Sequence, residues 1–295
     1  MPLRALVCTD GSSHSRDTAR VAIRLAQPLD LKLQIVYALD LQRLEYKMIP
    51  DFQVEMIRQG AKRTGEEILK KEKEAYRRDG VDVEPRLLVG SPGPVICDVA
   101  ARERVNLVII GRRGHGDLQD ILFGSVSNHV VHHCPVPVLV VKKDGPPGEQ
   151  CAGPVRVLAA VDGSDASRRC LDYLASLAQA RDGLEICLLN VVNPERPGLE
   201  HLPPEARYEA LRTMHREAAE KLAPAVDRLG SLGFRVTSRV EEGTAGRTIC
   251  RIYQEDAFEV VMLGRRGAGE LNEVLFGSVC HFVLHHCPGH TWIVP

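Results

Sequence analysis

The chain has 295 residues, about twice the size of a common domain, with 38 Lys+Arg against 39 Asp+Glu and 44% apolar residues. That balance supplies material for packed cores and excludes a disordered chain. Near-neutral charge and only 4% aromatic residues disfavour a nucleic-acid binder, which needs a basic face and stacking rings.

The chain opens with the apolar run Leu3–Thr9, closed by Asp10-Gly11-Ser12. This run is too short for a signal peptide or a membrane span, and it reads as a buried parallel strand. A helix follows, with Ala19, Ala22, Ile23 and Ala26 at helical spacing and Ser12 or Ser13 as its cap. Next come a strand over Leu31–Leu39, a long charged helix ending near Gly80, and a strand over Val81–Val89. A helix opening around Pro94 precedes the strand Leu107–Gly111. Helix Val126–His133 and strand Pro135–Val141 complete the series. The charged run Glu66–Arg78 reads as a solvated helix face.

The series then repeats. Gly111-Arg-Arg-Gly114, Leu122-Phe-Gly-Ser-Val126 and His132-His-Cys-Pro135 return as Gly264-Arg-Arg-Gly267, Leu275-Phe-Gly-Ser-Val279 and His285-His-Cys-Pro288. All three recur at an offset of 153, and Asp162-Gly163-Ser164 returns near the second start. The second strands are expected at Val155–Val161, Leu184–Val192, Phe234–Glu241, Val260–Gly264 and Thr291–Val294. Its first helix carries Leu171, Leu174, Ala175 and Ala178 at helical spacing, capped by Ser164; a long helix ends near Gly230 and a further helix opens around Arg247. The Pro/Gly-rich stretch 144–153 reads as a linker between domains 1–143 and 154–295. Alternating strands and helices predict an α/β fold: two tandem five-stranded parallel sheets, Rossmann-like, sandwiched between helices.

Each copy holds G-x-x-G, nine residues, then G-S: Gly111, Gly114, Gly124, Ser125 and Gly264, Gly267, Gly277, Ser278. The first glycine closes a strand, where open α/β sheets bind ligands, and lets a ligand approach the backbone. The G-S pair opens a helix whose N–H groups suit a phosphate. The same glycines would equally serve close packing of strand on helix. No P-loop is present, and Gly114-His-Gly116 lacks the third glycine and the early position of a dinucleotide fingerprint.

This order of Asp-Gly-Ser after the first strand and G-x-x-G-x(9)-G-S after the fourth resembles the universal stress protein family in both halves, and specifically its ATP-binding branch. The resemblance implies a tandem, cytoplasmic, nucleotide-dependent stress-response module that binds ATP together with Mg²⁺. It places Asp10 and Asp162 at the ribose and the backbones of Ala38 and Val191 at adenine. Gly111, Gly114, Gly124, Ser125 and Val126 would hold ribose and phosphates, with Gly264, Gly267, Gly277, Ser278 and Val279 in the second copy. Thr9, Ile110, Val161 and Leu263 flank those positions, and Ser127 is the hydroxyl that reaches the terminal phosphates. Cys280 stands at that place in the second copy and is a weak donor, so the first site is expected to bind ATP at least as well. The resemblance further implies self-association through the last strands, as a pseudo-dimer within one chain and as a homodimer, and a regulatory protein partner.

Nine scattered cysteines without a C-x-x-C pair fit a reducing compartment. Adjacent His132, His133 and Cys134 point about 100° apart on a helix and converge poorly on one metal ion. Asp10 and Asp162 have a second reading as turn formers. No nucleophile with a base and an orienting third group recurs, so at most weak ATP hydrolysis is expected. An interaction protein with empty sites and a slow ATPase remain the alternatives.

Overall fold

The computed structural model describes residues 2–41, 51–112, 123–143, 153–265 and 276–295. The chain divides into two compact units, the first running to Lys143 and the second to Pro295. Residues 144–152, most of the expected linker, lie outside the described residues.

The first unit runs β1 (Leu3–Cys8), α1 (Ser13–Ala26), β2 (Leu31–Leu39), α2 (Asp51–Arg78), β3 (Val83–Val89), α3 (Pro92–Arg102), β4 (Leu107–Gly111), α4 (Ser125–His133) and β5 (Val138–Val141). Its strands form a parallel sheet in the order β3-β2-β1-β4-β5. Ala5 of β1 lies between Leu33 of β2 and Leu107 of β4. Strands β1, β2, β4 and β5 are largely buried apolar runs, as a parallel sheet covered by helices requires, whereas the edge strand β3 is half exposed.

The second unit repeats this with β6 (Val155–Ala160), α5 (Asp165–Ser176), β7 (Leu184–Val192), α6 (Pro204–Ser231), β8 (Arg235–Glu242), α7 (Ala245–Glu255), β9 (Val260–Gly264), α8 (Ser278–His286) and β10 (His290–Val294). Its parallel order is β8-β7-β6-β9-β10. The expected α/β class and five-stranded parallel sheets are therefore what the chain forms.

Local chemistry sets the element ends. Ser12 and Ser164 cap α1 and α5 by accepting from the N–H groups of Ser15 and Ser167. Gly11 and Gly163 carry the positive φ (76° and 85°) that turns the chain between strand and cap. Strand β5 starts at Val138 rather than Pro135, since neither Pro135 nor Pro137 has an N–H for the ladder.

Two expectations need correcting. In α5 the spacing Leu171, Leu174, Ala175, Ala178 singles out the wrong face: Ala166, Ser167, Cys170 and Leu174 are buried, and of the expected set only Leu174 is. Small residues face the sheet because β9 approaches closely there. In α2 the run Glu66–Arg78 is mostly exposed, but Leu69 and Tyr76 are buried and Glu72 is half-buried between them. A stripe along α2 thus turns inward and carries a carboxylate with it.

Candidate functional site

Strand β1 pairs with β2 on one side and β4 on the other, so the chain leaves the sheet in opposite directions at their carboxyl ends. That switch point is where open α/β sheets leave a crevice. In the first unit it holds a cleft of about 300 Å³. Thr9, Asp10, Ala38, Ile110, Gly111, Gly124, Ser125, Val126 and Ser127 all line it. Gly114 lies outside the described residues. Cys8, Ser15, Thr18, Val36, Tyr37, Pro92 and Ile96 also line it and went unread in the sequence, where hydroxyls on an amphipathic helix look like caps.

One wall is the start of α4. Gly124 is its cap, and the first intrahelical bond runs from Asn128 N–H to Gly124 O at 2.8 Å. The N–H groups of Ser125, Val126 and Ser127 therefore have no partner within the helix and form its positive end. The chain closes back on β4 here: Gly124 N–H donates to Arg112 O at 3.0 Å, and Arg112 N–H to Val141 O at 2.8 Å. Ser127 Oγ donates to Gly111 O at 2.6 Å, so this hydroxyl ties helix to strand.

The opposite wall is the Asp10 turn. Asp10 Oδ1 accepts from Ser12 N–H at 3.0 Å, and Asp162 Oδ1 accepts from Ser164 N–H at 2.9 Å. The turn-forming role of both aspartates is thus realised, and it fixes the Asp10 carboxylate in the lining of the cleft. Burial, with the Asp10 charge adding to it, pushes the Tyr37 hydroxyl above its ordinary range. Burial likewise raises the Cys8 thiol, helped by Cys134, so Cys8 is an inert lining group.

The second unit places the matching residues at the same strand ends. Val161 is buried just beyond β6, Asp162 is exposed, and Val191 is half-buried in β7. Leu263 and Gly264 end β9; Gly277 caps α8, with Ser278 exposed and Val279 half-buried in its first turn. Gly267 lies outside the described residues. At Gly264 the packing role of the glycine is realised. A Cβ there would come within 2.6 Å of Ala166 Cβ and 2.8 Å of the Ala166 backbone, so helix packing demands the glycine. Asn190 Nδ2 donates to Val161 O at 2.6 Å, where the first unit has Tyr37.

The histidines pair along their helices rather than as adjacent triplets. The rings of His129 and His133 lie 4.5 Å apart and those of His281 and His285 4.3 Å apart. Among the described residues no group of three His, Cys, Asp or Glu side chains is placed to hold a metal ion. No helix among them is long and apolar enough to cross a membrane.

The sequence profile of the universal stress protein family matches residues 1–142 and 155–295. A universal stress protein of Methanocaldococcus jannaschii is 33% identical over 141 residues, 48% of this chain and 82% of that protein. One of Thermus aquaticus is 34% identical over 139 residues, 46% of this chain and 96% of that protein. The crystal structure of a universal stress protein from Archaeoglobus fulgidus has a similar fold, with a TM-score of 0.68 at 22% identity, covering 99% of this chain and 97% of that one.

Proposed function

The chain belongs to the universal stress protein family, and from that premise we propose that it binds ATP with Mg²⁺ in the cleft of its first unit, as a nucleotide-dependent regulatory module of the stress response. One observation carries the reading: the positive end of α4 and the Asp10 turn face one cleft at the β1/β4 switch point. The free N–H groups of Ser125, Val126 and Ser127 would hold phosphate oxygens, where a helix end attracts an anion. Asp10 would accept from ribose hydroxyls, and the backbone at Ala38 would meet the adenine edge. A volume of about 300 Å³ fits a nucleoside-sized group and lies at the small end of ligand sites, roughly 300–1,000 Å³. With a net charge of −1 the protein has no global field for an anion, so phosphate binding rests on these local dipoles.

The second unit holds the weaker site in this proposal. Val161 lacks the hydroxyl of Thr9, and Cys280 replaces Ser127, whose hydroxyl ties the start of α4 to the end of β4 in the first unit. Self-association through last-strand edges belongs to the same reading, because an apolar edge such as Val138–Val141 needs a cover. Crosslinking that never joins these strands counts against that part. The experiment for nucleotide binding is acid extraction of the purified protein followed by chromatography of the released nucleotides. Recovery of ATP, ADP or AMP supports the proposal; no nucleotide recovered and no uptake of added Mg-ATP sinks it.

A further inference from the structure

Glu72 lies in α2, about 60 residues along the chain from the Asp10 turn, yet it meets that turn in space. Its Oε1 stands 3.4 Å from Thr9 Oγ1 and 3.4 Å from Ser15 Oγ, and both of those residues line the cleft. Neither hydroxyl is idle. Thr9 Oγ1 accepts from Gly11 N–H at 3.1 Å and donates to Glu72. Ser15 Oγ shares its proton between Ser12 O at 2.7 Å and, more weakly, Glu72 Oε1 at 3.4 Å. Glu72 therefore accepts a weak hydrogen bond from each hydroxyl, and each hydroxyl has a second partner in the turn.

The two units differ at this point. Along α2 the inward stripe is Gly65, Leu69, Glu72, Tyr76; along α6 it is Ala218, Leu222, Ala225, Leu229. The match is structural as well: a Cβ on Gly11 would meet Ile68, and one on Gly163 would meet Lys221. Ala225 thus occupies the place of Glu72. With Val161 in place of Thr9, the Gly163 N–H donates to Ser167 Oγ at 3.1 Å instead. The second unit forms the same turn without a carboxylate behind it.

We infer that Glu72 is a positioning residue of the first unit's cleft that couples nucleotide binding there to uptake of a proton, a coupling absent from the second unit. The inference rests on the nucleotide reading of the cleft. The charged form of Glu72 is disfavoured by half-burial and by the nearby Asp10 carboxylate; hydrogen bonds from Ser15 and Thr9 and the Arg16 guanidinium oppose this, and the balance raises its titration above the ordinary carboxylate range. Tyr76, one turn along α2, and Cys8 on β1 are themselves held neutral by burial and add no compensating charge. Phosphates entering the cleft bring further negative charge. Bound nucleotide therefore favours the protonated carboxyl.

The test is a calorimetric titration of the full chain with Mg-ATP from about pH 5 to about pH 8, beside Glu72→Gln, which keeps the neutral shape at every pH. Titration of ATP itself cancels in the ratio of the two dissociation constants. Wild type is expected to match Glu72→Gln at the acid end and to bind about five- to tenfold more weakly at the alkaline end, the size expected for one screened charge near phosphates. A ratio that stays constant with pH overturns the inference and leaves nucleotide binding intact. Wild type that takes up no Mg-ATP at any pH overturns both. Glu72→Ala, which copies Ala225, provides a second variant against which the wild-type ratio should change with pH in the same way. Should neither variant fold, the ¹³C carboxyl resonance of Glu72 in the wild type decides: ATP must move its titration midpoint upward, and an unmoved midpoint overturns the inference.

Discussion

Gly264→Ala should destabilise the second unit rather than merely weaken a ligand. The added Cβ would lie 2.6 Å from Ala166 Cβ and 2.8 Å from Ala166 C and O. Ala166 sits buried in the first turn of α5, and backbone atoms cannot swing aside as a side-chain tip can. Overpacking of this kind costs about 1–3 kcal/mol. Loss of glycine's freedom in the unfolded chain returns about 0.4–1 kcal/mol. A net loss of about 1–2 kcal/mol lowers the midpoint of a unit this size by roughly 2–8 °C. The single tryptophan provides the assay, since Trp292 is buried in β10 opposite Met262 of β9 and reports the second unit directly. Gly230→Ala is the control. It makes the same chemical change inside α6, with nothing within 4 Å of the new Cβ, and should raise the midpoint by about 2–4 °C. Equal midpoints for the two variants, or a higher one for Gly264→Ala, would refute the packing argument.

Three further outcomes follow from the first unit. Ser127→Ala removes the bond to Gly111 O and should cost about 1–2 kcal/mol, read by scanning calorimetry as an earlier first-unit transition. Cys8 should resist thiol reagents at pH values near 8, because its low-dielectric surroundings keep it protonated; site-resolved mass spectrometry after brief labelling checks this against Cys250, which is half-buried like Cys8. Burial, reinforced by His133, holds His129 below the ordinary histidine range. The unfolded chain then takes up that proton first, so stability should fall as pH drops through the ordinary histidine range, and denaturant midpoints of His129→Gln should show a smaller fall.

Much of the architecture could be read from residues alone because parallel strands are short apolar runs with turn signals behind them. Leu31–Leu39, Leu107–Gly111, Leu184–Val192 and Val260–Gly264 are formed with the bounds their composition implies. The face of α5 was not legible. Apolar periodicity points to Leu171 and Ala175, whereas close approach of β9 selects for small size at Ala166, Ser167 and Cys170. The cleft was half legible. Glycine spacing marks the α4 side, but Ser15, Thr18 and Tyr37 reach it only through the packing of α1 and β2. Glu72 shows the limit most clearly. Inside a charged run it looks solvated, and only its spacing from Leu69 and Tyr76 signals that it turns inward.

The central claim is that the first cleft binds Mg-ATP through the start of α4. Calorimetric titration of wild type against Gly124→Val and Gly277→Val tests it most directly, since each substitution alters the cap of the helix end that would meet phosphate. The account predicts that Gly124→Val loses most of the binding and Gly277→Val little of it, both with folded-state spectra unchanged. Undiminished binding by Gly124→Val would contradict it.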